Sequence, residues 1–195
     1  MTLKVIAGIM KGKSLKTPSK KYYLIRPMLN NIKKSVFDII KEKIKNSIFL
    51  DLFAGIGSVG LEAVSRGAKR VIFVEINAFH IAIIRENIKI LNCKNKTKVI
   101  KHDLTKKTYI LQRYGKYDII FIGAPYKDMD SSGCFLTHSA LVNIVNCKIL
   151  KKDALIIVQK HIKTSIEKVK GLACFKIKTY GNTLVSFYKQ QRIYK

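Results

Sequence analysis

The segment Gly55-Ile56-Gly57-Ser58-Val59-Gly60 sets three glycines in a G-x-G-x-x-G pattern. Between a strand and a helix, such a turn lets a ligand approach the backbone closely. Two carboxylates accompany it: Asp51 at the end of the preceding apolar run, and Glu75 twenty residues beyond Gly55. A carboxylate at that second position can accept hydrogen bonds from both hydroxyls of a ribose. Taken alone, the pattern fits NAD as well as S-adenosylmethionine. Asp51 separates the two, because a negative charge repels pyrophosphate and suits a cationic sulfonium ligand that also carries an amino group. Asp103, which follows a later strand-like run, can accept from an adenine amino group.

The elements that must position these residues follow from periodicity. Residues 48–53 read as a short apolar strand and 58–66 as a helix. Residues 71–75 form a second strand, 79–91 a second helix, 97–101 a third strand and 117–122 a fourth. A helix over 135–150 and a strand over 154–158 come next, and 172–179 and 183–189 flank Gly181-Asn182, a pair suited to a tight hairpin turn. Strands alternating with helices predict a doubly wound, mainly parallel sheet closed by an antiparallel hairpin. Ahead of it, 3–18 reads as two short strands about a Gly12 turn. Ile32, Val36, Ile39, Ile40 and Ile44 then recur at helical spacing over 30–45. The division expected is a basic extension over 1–45 and one α/β domain over 46–195.

Composition bounds the partners. The 195 residues carry 38 Lys+Arg against 12 Asp+Glu, a formal net charge of +26, yet 48% of them are hydrophobic. That hydrophobic share excludes a disordered basic tail, and the charge points to a polyanion, nucleic acid first. Lys outnumbers Arg 32 to 6 and Ile occurs 29 times, so A+T-rich coding accounts for part of the excess. The first 26 residues nevertheless contain no acid, while Lys11, Lys13 and Arg26 lie among them. No apolar run approaches a membrane span, and residues 5–10 are too short for a signal-peptide core. The four cysteines and four histidines show no metal-ligand or disulfide spacing, so no metal is expected and a cytoplasmic setting fits.

The ordered set of motifs resembles the RsmD family of 16S ribosomal RNA guanine-N2 methyltransferases. Residues 51–68, from Asp51-Leu-Phe-Ala-Gly to Arg66-Gly-Ala, are similar to its first motif. Val5-Ile-Ala-Gly8 with Lys11-Gly-Lys13 resembles its N-terminal hairpin. Arg26-Pro27 before a helix resembles its Arg-Pro segment, and Tyr180-Gly-Asn-Thr its closing strand. The resemblance implies a Rossmann-like class I S-adenosylmethionine-dependent methyltransferase with a seven-stranded sheet. It further implies S-adenosylmethionine held by Asp51, Gly55, Gly57, Glu75 and Asp103, and RNA met by Lys11, Lys13 and Arg26. The partner implied is small-subunit ribosomal RNA, free or in the assembled subunit, acted on by a monomer without a membrane.

One departure bears on catalysis. Where the family has Asp-Pro-Pro-Tyr or Asp-Pro-Pro-Phe, this chain has Gly123-Ala124-Pro125-Tyr126. An exocyclic amine is a poor nucleophile until its hydrogens are accepted, and the motif's Asp supplies one acceptor. Gly123 keeps only a carbonyl, while Tyr126 keeps the stacking surface. Asp128 and Asp130 are nearby acids that could substitute. Methyl transfer slower than the family's is therefore expected. Two rivals stay open: an adenine-N6 methyltransferase acting on DNA or RNA, and an RNA-binding module without catalysis.

Overall fold

A computed structural model of the chain describes residues 3–18, 28–125 and 136–191. Among the described residues there are seven strands: Thr97–Lys101, Arg70–Glu75 and Ile48–Leu52 lie side by side, as do Tyr117–Ile122, Leu150–His161, Thr183–Gln190 and Leu172–Tyr180 in that order. The chain divides into two compact units, meeting in sequence between His102 and Asp103.

In the first unit, β1 (Ile48–Leu52), β2 (Arg70–Glu75) and β3 (Thr97–Lys101) pair in parallel, with β2 in the middle. Val71 to Val74 have no exposed surface, which explains an unbroken apolar run where a one-faced strand would alternate. The crossovers are α3 (Ser58–Ser65) and α4 (Ala78–Ile90). Asn77 caps α4, its side-chain oxygen accepting from the N–H groups of Phe79 and His80. Gly60 lets α3 lie against the sheet: a Cβ there would come within 2.3 Å of the Phe73 ring.

The expected helix over 30–45 is two helices, α1 (Asn30–Ile39) and α2 (Lys41–Ile44). Ile40 leaves the helical region at φ −98°, ψ 11°, and its N–H closes the last turn of α1 on the Val36 carbonyl. Spacing could not show this break, because Val36 and Ile44 are buried on either side of it and Ile40 is buried at it. The N-terminal hairpin is also looser than two strands. Lys4 and Ser14 form an isolated antiparallel bridge, and the Val5 N–H donates to the Lys13 carbonyl at 3.0 Å.

In the second unit, β4 (Tyr117–Ile122) pairs in parallel with β5 (Leu150–His161). The expected closing hairpin is present: β7 (Thr183–Gln190) runs antiparallel to both β5 and β6 (Leu172–Tyr180), leaving β6 at the edge. Helix α5 (Leu136–Asn146) buries Ala140, Leu141 and Ile144. Among the described residues, no helix is long and apolar enough to cross a membrane.

Candidate cofactor turn and base motif

The first unit brings together four of the residues expected to hold a cofactor. After β1 the chain reverses through Phe53, at φ 56°, and Gly55, then Gly57 at φ 80° starts α3. Positive φ is costly for a bulky side chain, so Phe53 is a strained position at the heart of the turn. Three side chains clamp the turn from different elements. Oε2 of Glu75 accepts the Gly55 N–H at 2.8 Å, and Oδ2 of Asp51 accepts the Gly60 N–H at 2.8 Å. Nδ2 of Asn87, on α4, donates to the Ile56 carbonyl at 3.2 Å. The turn is thus organised by its own acids.

Each acid keeps some capacity. Glu75 also accepts the N–H groups of Ile76 and Asn77 through Oε1, both at 2.9 Å. A carboxylate offers about four acceptor positions, so roughly one remains for a hydroxyl. Ile76, beside it, leaves 53% of its surface uncovered, an apolar face suited to a flat ring. Asp51 is 1% exposed, and burial pushes its carboxyl up to about 8, with the Gly60 hydrogen bond opposing and Glu75 adding to the rise.

A second network fastens the N-terminal hairpin to the helix that begins at the turn. Glu62 of α3 is fully buried and accepts the N–H groups of Ile6 at 2.8 Å and Ala7 at 3.0 Å. It also accepts Nε of Arg66 at 2.8 Å, with Nζ of Lys33 3.8 Å away. One turn on, Oγ of Ser65 accepts the Met10 N–H at 2.9 Å. Lys33 is completely enclosed, and burial holds its ammonium below the usual lysine range while Glu62 acts against that. Lys11 and Lys13 are exposed on this hairpin. Lys16 pairs with Glu86 at 2.6 Å.

In the second unit, Asp103 turns back on its own chain: Oδ1 accepts from the Thr105 N–H at 3.0 Å and the Thr105 hydroxyl at 2.7 Å. Gly123, Ala124 and Pro125 follow β4, the first two half-buried and Pro125 exposed. Arg26, Tyr126, Asp128 and Asp130 lie outside the described residues. Among those described, no group of three or more His, Cys, Asp or Glu could hold a metal ion. Sequence reasoning missed Asn87, Glu62 and Lys33. Asn87 carried a signal: it is an amide on the apolar face of α4 that includes Ile84 and Ile88.

The model of a family described as Conserved hypothetical protein 95 matches residues 3–189. The Bacillus subtilis candidate rRNA methyltransferase YlbH is 30% identical over 191 residues, 97% of this chain and 100% of that one. Ribosomal RNA small subunit methyltransferase D of Buchnera aphidicola subsp. Acyrthosiphon pisum is 34% identical over 181 residues, covering 89% of this chain and 86% of its own. The solved structure of the Escherichia coli candidate methyltransferase YhhF superposes with a TM-score of 0.80 at 20% identity, over 99% of this chain and 100% of that one. The expected fold is borne out: a Rossmann-like class I methyltransferase sheet with a closing antiparallel hairpin.

Proposed function

The chain belongs to the family described as Conserved hypothetical protein 95, the RsmD family that its motifs resemble, and from that premise we propose that it methylates small-subunit ribosomal RNA. The methyl donor is S-adenosylmethionine, and the acceptor is the exocyclic N2 amine of a guanine. The observation that carries the reading is the joint presence of the clamped glycine turn and a 34% identical relative named for that RNA. The chain acts on free RNA or on an assembled subunit, as a cytoplasmic monomer.

The residues present fit the cofactor. Asp51 is a buried carboxyl whose ionisation is opposed by its surroundings, and a cationic amino group would supply the missing counter-charge. Glu75 would take a ribose hydroxyl on its remaining acceptor position, with Ile76 covering the adenine and Asp103 accepting from the adenine amine. S-adenosylmethionine, when bound, supplies an electrophilic methyl group on a sulfonium.

Gly123 and Ala124 present carbonyls that accept the amine hydrogens and turn the nitrogen lone pair towards that methyl. Tyr126 stacks the extruded base, and Pro125 shapes the pocket. Arg26, Lys11 and Lys13 hold phosphates. Gly123 brings no carboxylate to draw on the amine's hydrogens, so transfer depends more on positioning and is slower. That missing carboxylate is also the one observation favouring a module that binds RNA without catalysis.

The test is labelled-methyl transfer to small subunits lacking the modification. Gly123→Asp needs a companion change, because a Cβ at 123 would lie 2.9 Å from Cε1 of Phe121, a ring that is 3% exposed. We expect measurable transfer by the natural chain and faster transfer by Gly123→Asp combined with Phe121→Leu. Cofactor binding without transfer by either protein would leave the RNA-binding module. Methylation of DNA but not of the subunit would favour the adenine-N6 reading.

A further inference from the structure

We propose that the exposed β6 edge of the β6–β7 hairpin is a second RNA-binding surface, a stacking platform with three phosphate contacts. The inference rests on the RNA substrate proposed above. It begins with a strand that ought to be protected. β6 is the edge of the sheet, and every residue from Cys174 to Thr179 is exposed. Phe175 leaves 50% of its surface uncovered and Ile177 58%.

Register assigns the side chains to faces. Lys176 stands opposite Phe187 and Lys178 opposite Val185, so both lysines share the face of those two residues. The ladder slips between Cys174 and Lys176, where Phe175 is the extra residue. Such a bulge redirects its side chain, and the Phe175 ring lies 6.4 Å from that of Phe187, on the lysine face. Lys189, two residues beyond Phe187 and therefore on the same face, holds its ammonium 4.8 Å from the centre of the Phe175 ring. Cys174, Ile177 and Thr179 fall on the opposite face, which takes no lysine from β6. Compositional drift would scatter lysine over both faces. Here Lys176, Lys178 and Lys189 share one face with a half-exposed aromatic ring.

The charges choose the occupant. Residues 160–191 contain seven Lys and one acid, Glu167, so the partner is anionic. Antiparallel pairing of β6 with a second copy about Ile177 would set Lys176 against Lys178, like charges directly opposed. An acidic peptide would satisfy the lysines but leave the Phe175 ring without a flat partner. RNA satisfies both, phosphates on the three ammonium groups and a base on the ring.

The test is filter binding of a small-subunit ribosomal RNA transcript across a salt series, beside calorimetric titration with S-adenosylhomocysteine. Lys176→Ala with Lys178→Ala and Lys189→Ala should weaken RNA binding about tenfold or more and lower the log–log salt slope by about two. Removing the same charge at Lys41, Lys43 and Lys45 should change RNA affinity less than twofold, by about the general field alone. Phe175→Ala should weaken binding by about fivefold or more with the salt slope unchanged. S-adenosylhomocysteine should bind all of these variants as it binds the natural chain. Equal losses in the two lysine triples would overturn the surface and leave only net charge. A natural chain that binds the cofactor product but no RNA would overturn both the surface and the RNA substrate.

Discussion

Asn87 and Lys16, 71 positions apart, are paired as neighbouring strands pair: Oδ1 of Asn87 accepts the Lys16 N–H at 2.7 Å, and Nδ2 donates to the Lys16 carbonyl at 3.1 Å. The same Nδ2 donates to the carbonyl of Ile56 inside the glycine turn. Asn87 has no exposed surface, so a partner withdrawn from it is not replaced by water. One residue of the basic N-terminal segment thus helps to hold the peptide that shapes the cofactor turn.

That linkage predicts an effect of the N-terminal segment on cofactor affinity. Lys16→Pro deletes the backbone N–H and orphans Oδ1 of Asn87, at a cost of about 1–3 kcal/mol. Lys16→Ala removes only the ion pair with Glu86, whose side chains are 50% and 49% exposed and which contributes little. Calorimetric titration with S-adenosylhomocysteine should show binding weakened about fivefold or more by the proline, and by less than about twofold by the alanine. Equal affinities in the two variants would remove the linkage.

The Glu62 network predicts an asymmetry in stability. Glu62→Ala takes the carboxylate from the N–H groups of Ile6 and Ala7 and from Nε of Arg66, which keeps Asp38 at 3.7 Å, and leaves the enclosed Lys33 ammonium only the Lys4 carbonyl at 3.4 Å. Removing one side of such a buried charge cluster costs about 3–5 kcal/mol. Lys33→Met removes the costly buried charge and keeps the volume, while Glu62 retains Arg66 and both N–H donors. That change should lie within about 1 kcal/mol of the natural chain, on either side of it. Urea denaturation of both variants measures the difference, and equal losses would mean that Lys33 is a required partner of Glu62.

The glycine turn and its acids were legible because their recognition is local. Gly55, Gly57 and Gly60 stand at fixed spacing after a run whose length and apolar content already specify a strand. Glu75 ends the next such run, and its bond to the Gly55 N–H joins the two signals. Glu62 and Ser65 were not legible in the same way, since their partners at Ile6, Ala7 and Met10 lie 55 or 56 positions away. No periodicity encodes such a pairing. β5 began earlier than expected, at Leu150, the last residue of the expected helix, because the charged residues Lys151, Lys152 and Asp153 separate Leu150 from the apolar run that starts at Ala154. Instead, Lys151 pairs with Asp118 on the adjoining strand at 2.8 Å, which lets the charged stretch remain extended.

Asp51 predicts a pH dependence with a definite sign. Its carboxyl is raised from 3.8 to about 8 in the folded chain, and the dominant cause is burial. Between those values the unfolded chain is ionised and the folded one holds the proton. This group's contribution to stability is therefore fully present below pH 3.8, declines as pH rises, and is lost once pH passes about 8. Cofactor binding runs the other way. A cationic amino group pairs with the carboxylate, so affinity should rise by up to about tenfold per pH unit below 8. The ligand's own α-amino group loses its proton at about 8, which places the maximum there. Titration with S-adenosylmethionine in buffers of different ionisation enthalpy should show nearly one proton released on binding at pH 7. Asp51→Asn should bind more weakly, release none, and lose the rise with pH. An affinity that is flat from pH 6 to 8 in the natural chain would mean that Asp51 faces no cation in the complex.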